Sequence, residues 1–390
     1  MRSGLFLLAL AYVLSQFFRA FLAVLAGPLE SDLGLTPEDL AFASGLWFLS
    51  FAAMQLPVGW ALDTIGPRRT AAALLLVGGG GGAALFALAT SAVHIDMAMV
   101  LIGIGCSPVL MASYYIFARE FPPLQFATLA ALMVGVGTVG NLIASYPMAM
   151  SAELIGWRAS MGGLAALSAV VAIGVALTVR DPAKPESDLR GSVFDLLKMP
   201  VLWLILPLTF VHYAPAGAIR GLWIGPYLRD VFDASQSQIG MATLLMGLAM
   251  IAGVVMYGPL DRLVGSRKWV NFTGNALTAA VVLTLWAMPQ PGMWTAVALM
   301  CAVGLFGASF PVMIAHGRSF VPPHLTGRGV TLLNLFGIGG VGLMQFVSGR
   351  LHAGAQGGDV AAPYAAIFGF FGLALVAGLA VYLFSRDNIA

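Results

Sequence analysis

Gly59-Trp60-Ala61-Leu62-Asp63-Thr64-Ile65-Gly66-Pro67-Arg68-Arg69 joins two apolar runs, 40–61 and 70–92, through a turn holding one carboxylate, two glycines and a basic pair. Each flanking run has the roughly 20 apolar residues that a bilayer-spanning helix needs. Asp63 recurs 198 positions later as Asp261, in Gly258-Pro259-Leu260-Asp261-Arg262 followed by Gly265 and Arg267-Lys268. That copy also sits between apolar runs, 237–259 and 269–288. A membrane hairpin repeated at half the chain length points to a polytopic, internally duplicated membrane protein.

The rest of the chain agrees. Hydrophobic residues make up 59% of 390 positions and charged residues 9%, against roughly a quarter charged in soluble domains. No water-soluble globule of this size can bury so much apolar surface. Further runs at 4–26, 96–118, 126–148, 158–179, 201–228, 293–317, 328–350 and 362–384 bring the expected spans to twelve. The first is interrupted by Tyr12, Ser15, Gln16 and Arg19 and lacks a small-residue cleavage site, so it is expected to remain as a helix. The polar stretch Arg180 to Lys198 divides an N-terminal half, 1–180, from a C-terminal half, 201–390, with 181–200 as linker. If the N-terminus is cytoplasmic, inside loops and termini hold 14 Lys and Arg, and outside loops hold only Arg158, Arg229 and Arg350. The positive-inside rule therefore places both termini in the cytoplasm. Arg119 to Pro123 leads into a helix with Gly137 and Gly140; Arg318 to Pro323 leads into one with Gly337 and Gly340. Small residues at such positions let helices approach closely. The run Gly78 to Gly82 reads the same way.

The Gly59 to Arg69 turn and its second copy resemble the signature loop of the major facilitator superfamily. Length, topology and central linker extend the resemblance over the whole chain. It implies an all-α membrane fold of twelve transmembrane helices in two pseudo-symmetric six-helix bundles, working by alternating access in a bacterial inner membrane. It also implies gating roles for Gly59, Asp63, Gly66, Arg68, Arg69, Asp261, Arg262 and Arg267, with Asp63 and the basic pair steadying the outward-facing state. Thr64 and Pro67 stand where the family pattern often has basic residues, so a weaker first-half latch is expected.

Two basic residues remain inside spans, Arg19 and Arg220, and charge in hydrocarbon marks a ligand or ion pathway by default. The repeat relates them: Tyr12 precedes Arg19 by seven residues, Tyr213 precedes Arg220 by seven, and both pairs are offset by 201. Two helical turns would put each Tyr on the face of its Arg, with Ser15 and Gln16 completing a stripe in the first span. All 17 Asp and Glu fall in loops or at helix ends, which leaves these guanidiniums to an anionic substrate. A guanidinium fork suits carboxylate or phosphate. Here the chain resembles the organic-anion and organophosphate exchangers of the superfamily. Snorkelling of both side chains to the outer interface is the competing reading.

His212 and His316 are the histidines inside spans that could carry a coupled proton; His212, Tyr115, Asn141 and Asn334 are further candidates for the cavity wall. Cys106 and Cys301 lie in separate spans and make no disulfide framework. No P-loop, metal cluster or nucleophile–base pair appears, so no cofactor, no nucleic-acid partner and no enzyme activity is expected. The expected partners are a small anion, the bilayer, and a coupled proton or counter-anion, for a chain acting as a monomer. Alternatives are a proton-coupled exporter of drugs or amphipathic compounds, which ordinarily needs a membrane carboxylate, a nitrate/nitrite-type porter with arginines on spans 2 and 8, and a transporter-like receptor.

Overall fold

A computed structural model describes residues 2–182, 193–322 and 325–387. Lys184, Pro185, Arg190 and Pro323 lie outside the described residues, as does half of the 181–200 linker. All regular structure among the described residues is helical. The chain divides into two compact units, Met1–Ser187 and Asp188–Ala390.

Among the described residues, nine helices are long and apolar enough to cross a membrane. In the first unit these are span 2 (Pro37–Thr64), span 3 (Pro67–Ala87), span 4 (Ala92–Glu120) and span 6 (Trp157–Thr178). In the second they are span 8 (Gln236–Leu260), span 9 (Arg267–Ala287), span 10 (Met293–Arg318), span 11 (Arg328–Gly354) and span 12 (Ala362–Tyr382). Two bent pairs complete the first unit: span 1 (Ser3–Phe17 with Leu22–Leu33, 55°) and span 5 (Leu132–Ile143 with Tyr146–Ile155, 40°). Span 7 is the twelfth, and it is fragmented.

Helix starts follow their caps. Thr36 and Asp39 form a reciprocal capping box around Pro37 at the head of span 2, and Ser235 with Gln238 does the same for span 8. Span 2 therefore begins before the expected position 40.

The breaks correct the expectation of continuous helices. In span 5, Pro147 has no N–H, and its ring presses on the carbonyl four residues back, Ile143, where the first helix stops. Span 7 is not one helix over 201–228 but five short pieces: Pro200–Trp203, Leu206–Val211, Ala214–Ala218, the π-helical Ile219–Trp223, and Ile224–Phe232. Pro200, Pro207, Pro215 and Pro226 each remove a donor from this ladder. Thr209 Oγ1 donates to the Ile205 carbonyl at 3.0 Å, alongside its own backbone N–H. In span 1 no proline lies at the break. There the ladder tightens to a three-residue bond, Ala20 N–H to Phe17 carbonyl at 3.0 Å, and the helix restarts at Leu22.

Glycine contacts hold each unit together. A Cβ at Gly140 would collide with the Val13 carbonyl, and one at Gly137 with the Tyr12 ring, so span 5 lies directly on span 1. In the second unit a Cβ at Gly340 would collide with the Phe210 carbonyl, placing span 11 equally hard on span 7. In span 3, a Cβ at Gly78 would lie 2.5 Å from the Leu101 carbonyl oxygen of span 4. That close packing is how the Gly78 to Gly82 run is used.

Candidate functional site

In the first unit Arg19 sits in the break of span 1, between Phe17 and Leu22. The two-turn, same-face relation to Tyr12 expected of a continuous helix therefore does not apply. What positions the guanidinium is span 2: its carbon lies 5.5 Å from the Trp47 ring centroid and 5.4 Å from that of Phe51. These two rings stack on each other at 5.3 Å and are buried. Span 4 presses on the same turn, where a Cβ at Gly103 would collide with Ser50 Oγ and sit 2.5 Å from the Trp47 carbonyl. No ion pair to Arg19 is found among the described residues, and its buried Nε has no hydrogen-bond acceptor there. Tyr12, Ser15 and Gln16 are buried, and Ser15 donates to the Cys106 carbonyl at 3.4 Å. Asn141 is half-buried on span 5, its carbonyl accepting from Ser145 at 3.0 Å.

In the second unit Arg220 lies inside the π-helical piece of span 7 and is 4% exposed. Its guanidinium rests against Gly247 of span 8, where a Cβ would stand 3.0 Å from Nη2 and 3.1 Å from Nε. Tyr213 lies in the junction before Ala214–Ala218 and meets Phe310 edge-on at 5.4 Å. His212 is fully buried and stacks on Phe310, also at 5.4 Å. Its Nδ1 is 2.8 Å from the Thr209 carbonyl, which can only accept, so Nδ1 carries the hydrogen and Nε2 is left bare and without a partner among the described residues. Asn334 is half-buried on span 11.

The remaining candidates sort away from these centres. Tyr115 is at the motif end of span 4, its ring under the Arg119 guanidinium at 4.1 Å. Arg119 in turn ion-pairs Asp63 at 3.8 Å. Tyr115 thus belongs with the loop charges rather than beside Arg19, and the partner of Asp63 is Arg119, not the Arg68-Arg69 pair. His316 is buried, its Nε2 2.9 Å from the Arg386 carbonyl and its Nδ1 2.6 Å from the Tyr382 hydroxyl. It ties span 10 to span 12 and the C-terminal tail, with both ring nitrogens occupied.

Two loop residues do work that their sequence positions did not announce. Asp181 accepts from the Arg68 backbone N–H at 2.7 Å, caps span 3 and stands 3.7 Å from the Arg68 guanidinium. Gly66 is required twice beside it, by φ of +108° and because a Cβ would lie 2.8 Å from the Asp181 carboxyl carbon. Asp387 repeats the arrangement at span 9, accepting from Ser266 Oγ and from the Lys268 backbone N–H at 3.5 Å. Lys268 Nζ adds a bond to the Leu383 carbonyl at 2.7 Å. The available signal was a repeated dipeptide after the last span of each half, Arg180-Asp181 and Arg386-Asp387. Arg69 is exposed, and a Cβ at Gly59 would meet open space, so neither packs. Arg267 opens span 9 and Asp261 and Arg262 lie on the helix Gln236–Val264, the last two with side chains outside the described residues.

The Major Facilitator Superfamily model matches residues 8–218 and again 205–389. The sialic acid transporter NanX of Escherichia coli (strain K12) is 23% identical over 373 residues, covering 91% of this chain and 89% of its own. A probable L-galactonate transporter of the same organism is 23% identical, covering 79% and 73%. A probable sulfoacetate transporter of Cupriavidus necator (strain ATCC 17699 / DSM 428 / KCTC 22496 / NCIMB 10442 / H16 / Stanier 337) is 21% identical, covering 71% and 74%. In fold, the chain is similar to a D-xylose–proton symporter (TM-score 0.78, 15% identity, 99% and 98% covered). It is also similar to a bacterial homologue of the human lysosomal transporter Spinster (TM-score 0.76, 19% identity, 98% and 96% covered).

Proposed function

The chain belongs to the Major Facilitator Superfamily, and from that premise we propose that it moves a small organic anion across the bacterial inner membrane by alternating access, both termini cytoplasmic. It is a multi-pass membrane transporter, not an enzyme. The observation that carries the anion reading is Arg19: a guanidinium among buried aromatic rings, with no carboxylate paired to it among the described residues. An arginine at the centre of a membrane helix costs about 2.5–3.5 kcal/mol on insertion scales. A bound anion offsets that cost. Arg220, related to Arg19 by the repeat, is the corresponding anion ligand of the second unit. The empty protein keeps Arg19 without a carboxylate partner among the described residues, which favours reorientation with cargo over reorientation without it.

The relatives support the class, since those named for sialic acid, L-galactonate and sulfoacetate all handle organic acids. The organic-anion exchanger branch fits best. Exporters that depend on a membrane carboxylate fit less well: among the described residues Asp96, the fifth residue of span 4, is the acid set furthest into the start of a span. The test is uptake of sialic acid, L-galactonate and sulfoacetate into proteoliposomes. Arg19→Ala and Arg220→Ala should each abolish uptake at unchanged yield of folded protein. Wild-type rates in either variant would remove the reading.

A further inference from the structure

Among the first unit's buried polar atoms without a hydrogen-bond partner in the described residues are Gln16 Oε1, Arg19 Nε and Trp47 Nε1. Trp47 is 1% exposed and Gln16 7%. Arg19 stacks over Trp47, and Gln16 lies three residues before Arg19 in sequence, on the last turn of Arg2–Phe17. Buried polar groups are almost always paired, and leaving one unpaired is destabilising. Two orphans on stacked side chains, with a third three residues along the chain, mark a place built for a ligand's polar atoms.

Their chemistry is specific. Arg19 Nε and Trp47 Nε1 are N–H donors; Gln16 Oε1 is an acceptor. The two donors suit the two oxygens of a carboxylate, and the acceptor requires a donor from the ligand, such as a hydroxyl. We infer that Trp47 and Gln16 bind the ligand alongside Arg19 and select a hydroxycarboxylate over an unsubstituted carboxylate or a fully ionised phosphate. Phe51 is a positioning residue, holding the guanidinium flat so that its edge faces the anion. This rests on the reading of Arg19 as an anion ligand.

The test is equilibrium binding to the purified full chain of D-gluconate against hexanoate and L-lactate against propionate, with inorganic phosphate as a third class. The wild type should prefer each hydroxylated member at least tenfold, the worth of one hydrogen bond left unmet. Trp47→Phe keeps the ring and removes the N–H, and should weaken gluconate and hexanoate alike, about tenfold. Gln16→Leu should bring gluconate down to the level of hexanoate and leave hexanoate unchanged. Because Gln16→Leu removes an unmet polar atom with little change of volume, the thermal midpoint of the empty protein should hold or rise in that variant. Without any substitution, one of the eight indole N–H resonances should move downfield with gluconate. Equal binding of the paired acids by the wild type, or no binding of either, overturns the selectivity. Full gluconate preference in Gln16→Leu with all binding lost in Arg19→Ala overturns this inference and leaves the anion site standing. Undiminished binding by Arg19→Ala removes the underlying reading itself.

Discussion

Gly247→Ala separates stability from transport. A Cβ at this position would stand 3.0 Å from Arg220 Nη2, 3.1 Å from Nε and 3.4 Å from Cζ. Carbon and nitrogen settle at about 3.5 Å, so the guanidinium must retreat by roughly half an ångström. The obstacle is the far end of a flexible side chain, so the fold can yield. Replacing a mid-helix glycine by alanine contributes about 1 kcal/mol to helix stability, and Gly247 lies well within Gln236–Val264. A misplacement of about 1 Å can lower the rate of a positioned reaction about a hundredfold. Half of that should weaken anion affinity about tenfold. The assays are thermal unfolding in detergent and concentration-dependent uptake into proteoliposomes on the same preparation. A thermal midpoint that holds or rises, together with a half-saturating concentration raised about tenfold, is the expected pair. Wild-type uptake would show that the position of Arg220 does not matter to the substrate and would refute the reasoning.

Other consequences follow from the loops and the buried histidine. Asp63→Asn should cut uptake with insertion intact; the Asp63–Arg119 pair is partly exposed, so stability should change by less than about 1 kcal/mol. Unchanged uptake rates would contradict a gating role. Asp181→Ala and Asp387→Ala each uncap a span, and each should cost about 1 kcal/mol by thermal unfolding, with similar losses because the two caps are repeat-related. His212→Gln retains an amide donor for the Thr209 carbonyl and should leave uptake driven by a pH gradient within about fivefold of wild type, as a hydrogen bond contributes only about 1 kcal/mol net. Loss of the pH response in that variant would make His212 the proton carrier.

Much of this architecture could be read from residue patterns. Apolar runs located the spans, because bilayer thickness sets a length that neighbours do not alter. The repeated glycines at 137, 140 and 340 were legible as close approaches for a similar reason: close contact between membrane helices needs small residues, and each of these meets a backbone or ring on another span. Arg19 and Arg220 stood out by their cost alone. What the chain order hid was tertiary placement. Trp47 and Phe51 looked like two more apolar residues of span 2, and only folding sets their faces under Arg19. Gly247 looked like a packing glycine, while the atom it accommodates belongs to a guanidinium. Asp63 sat beside a basic pair in sequence and found Arg119 in space, because Arg68 is taken by a carboxylate 113 residues away. The breaks at Arg19 and Tyr213 defeated simple helical periodicity, which assumes one unbroken ladder.

Direct titration of sialic acid, L-galactonate and sulfoacetate onto purified wild type, Arg19→Ala and Arg220→Ala, each verified as folded, reaches the central claim without passing through transport. At least one of these acids should bind the wild type, and its affinity should fall about a hundredfold or more in each variant, as expected when a charged hydrogen-bonding partner is lost in a desolvated site. Affinity within a few-fold of wild type in both variants would mean that the two membrane arginines do not hold the cargo.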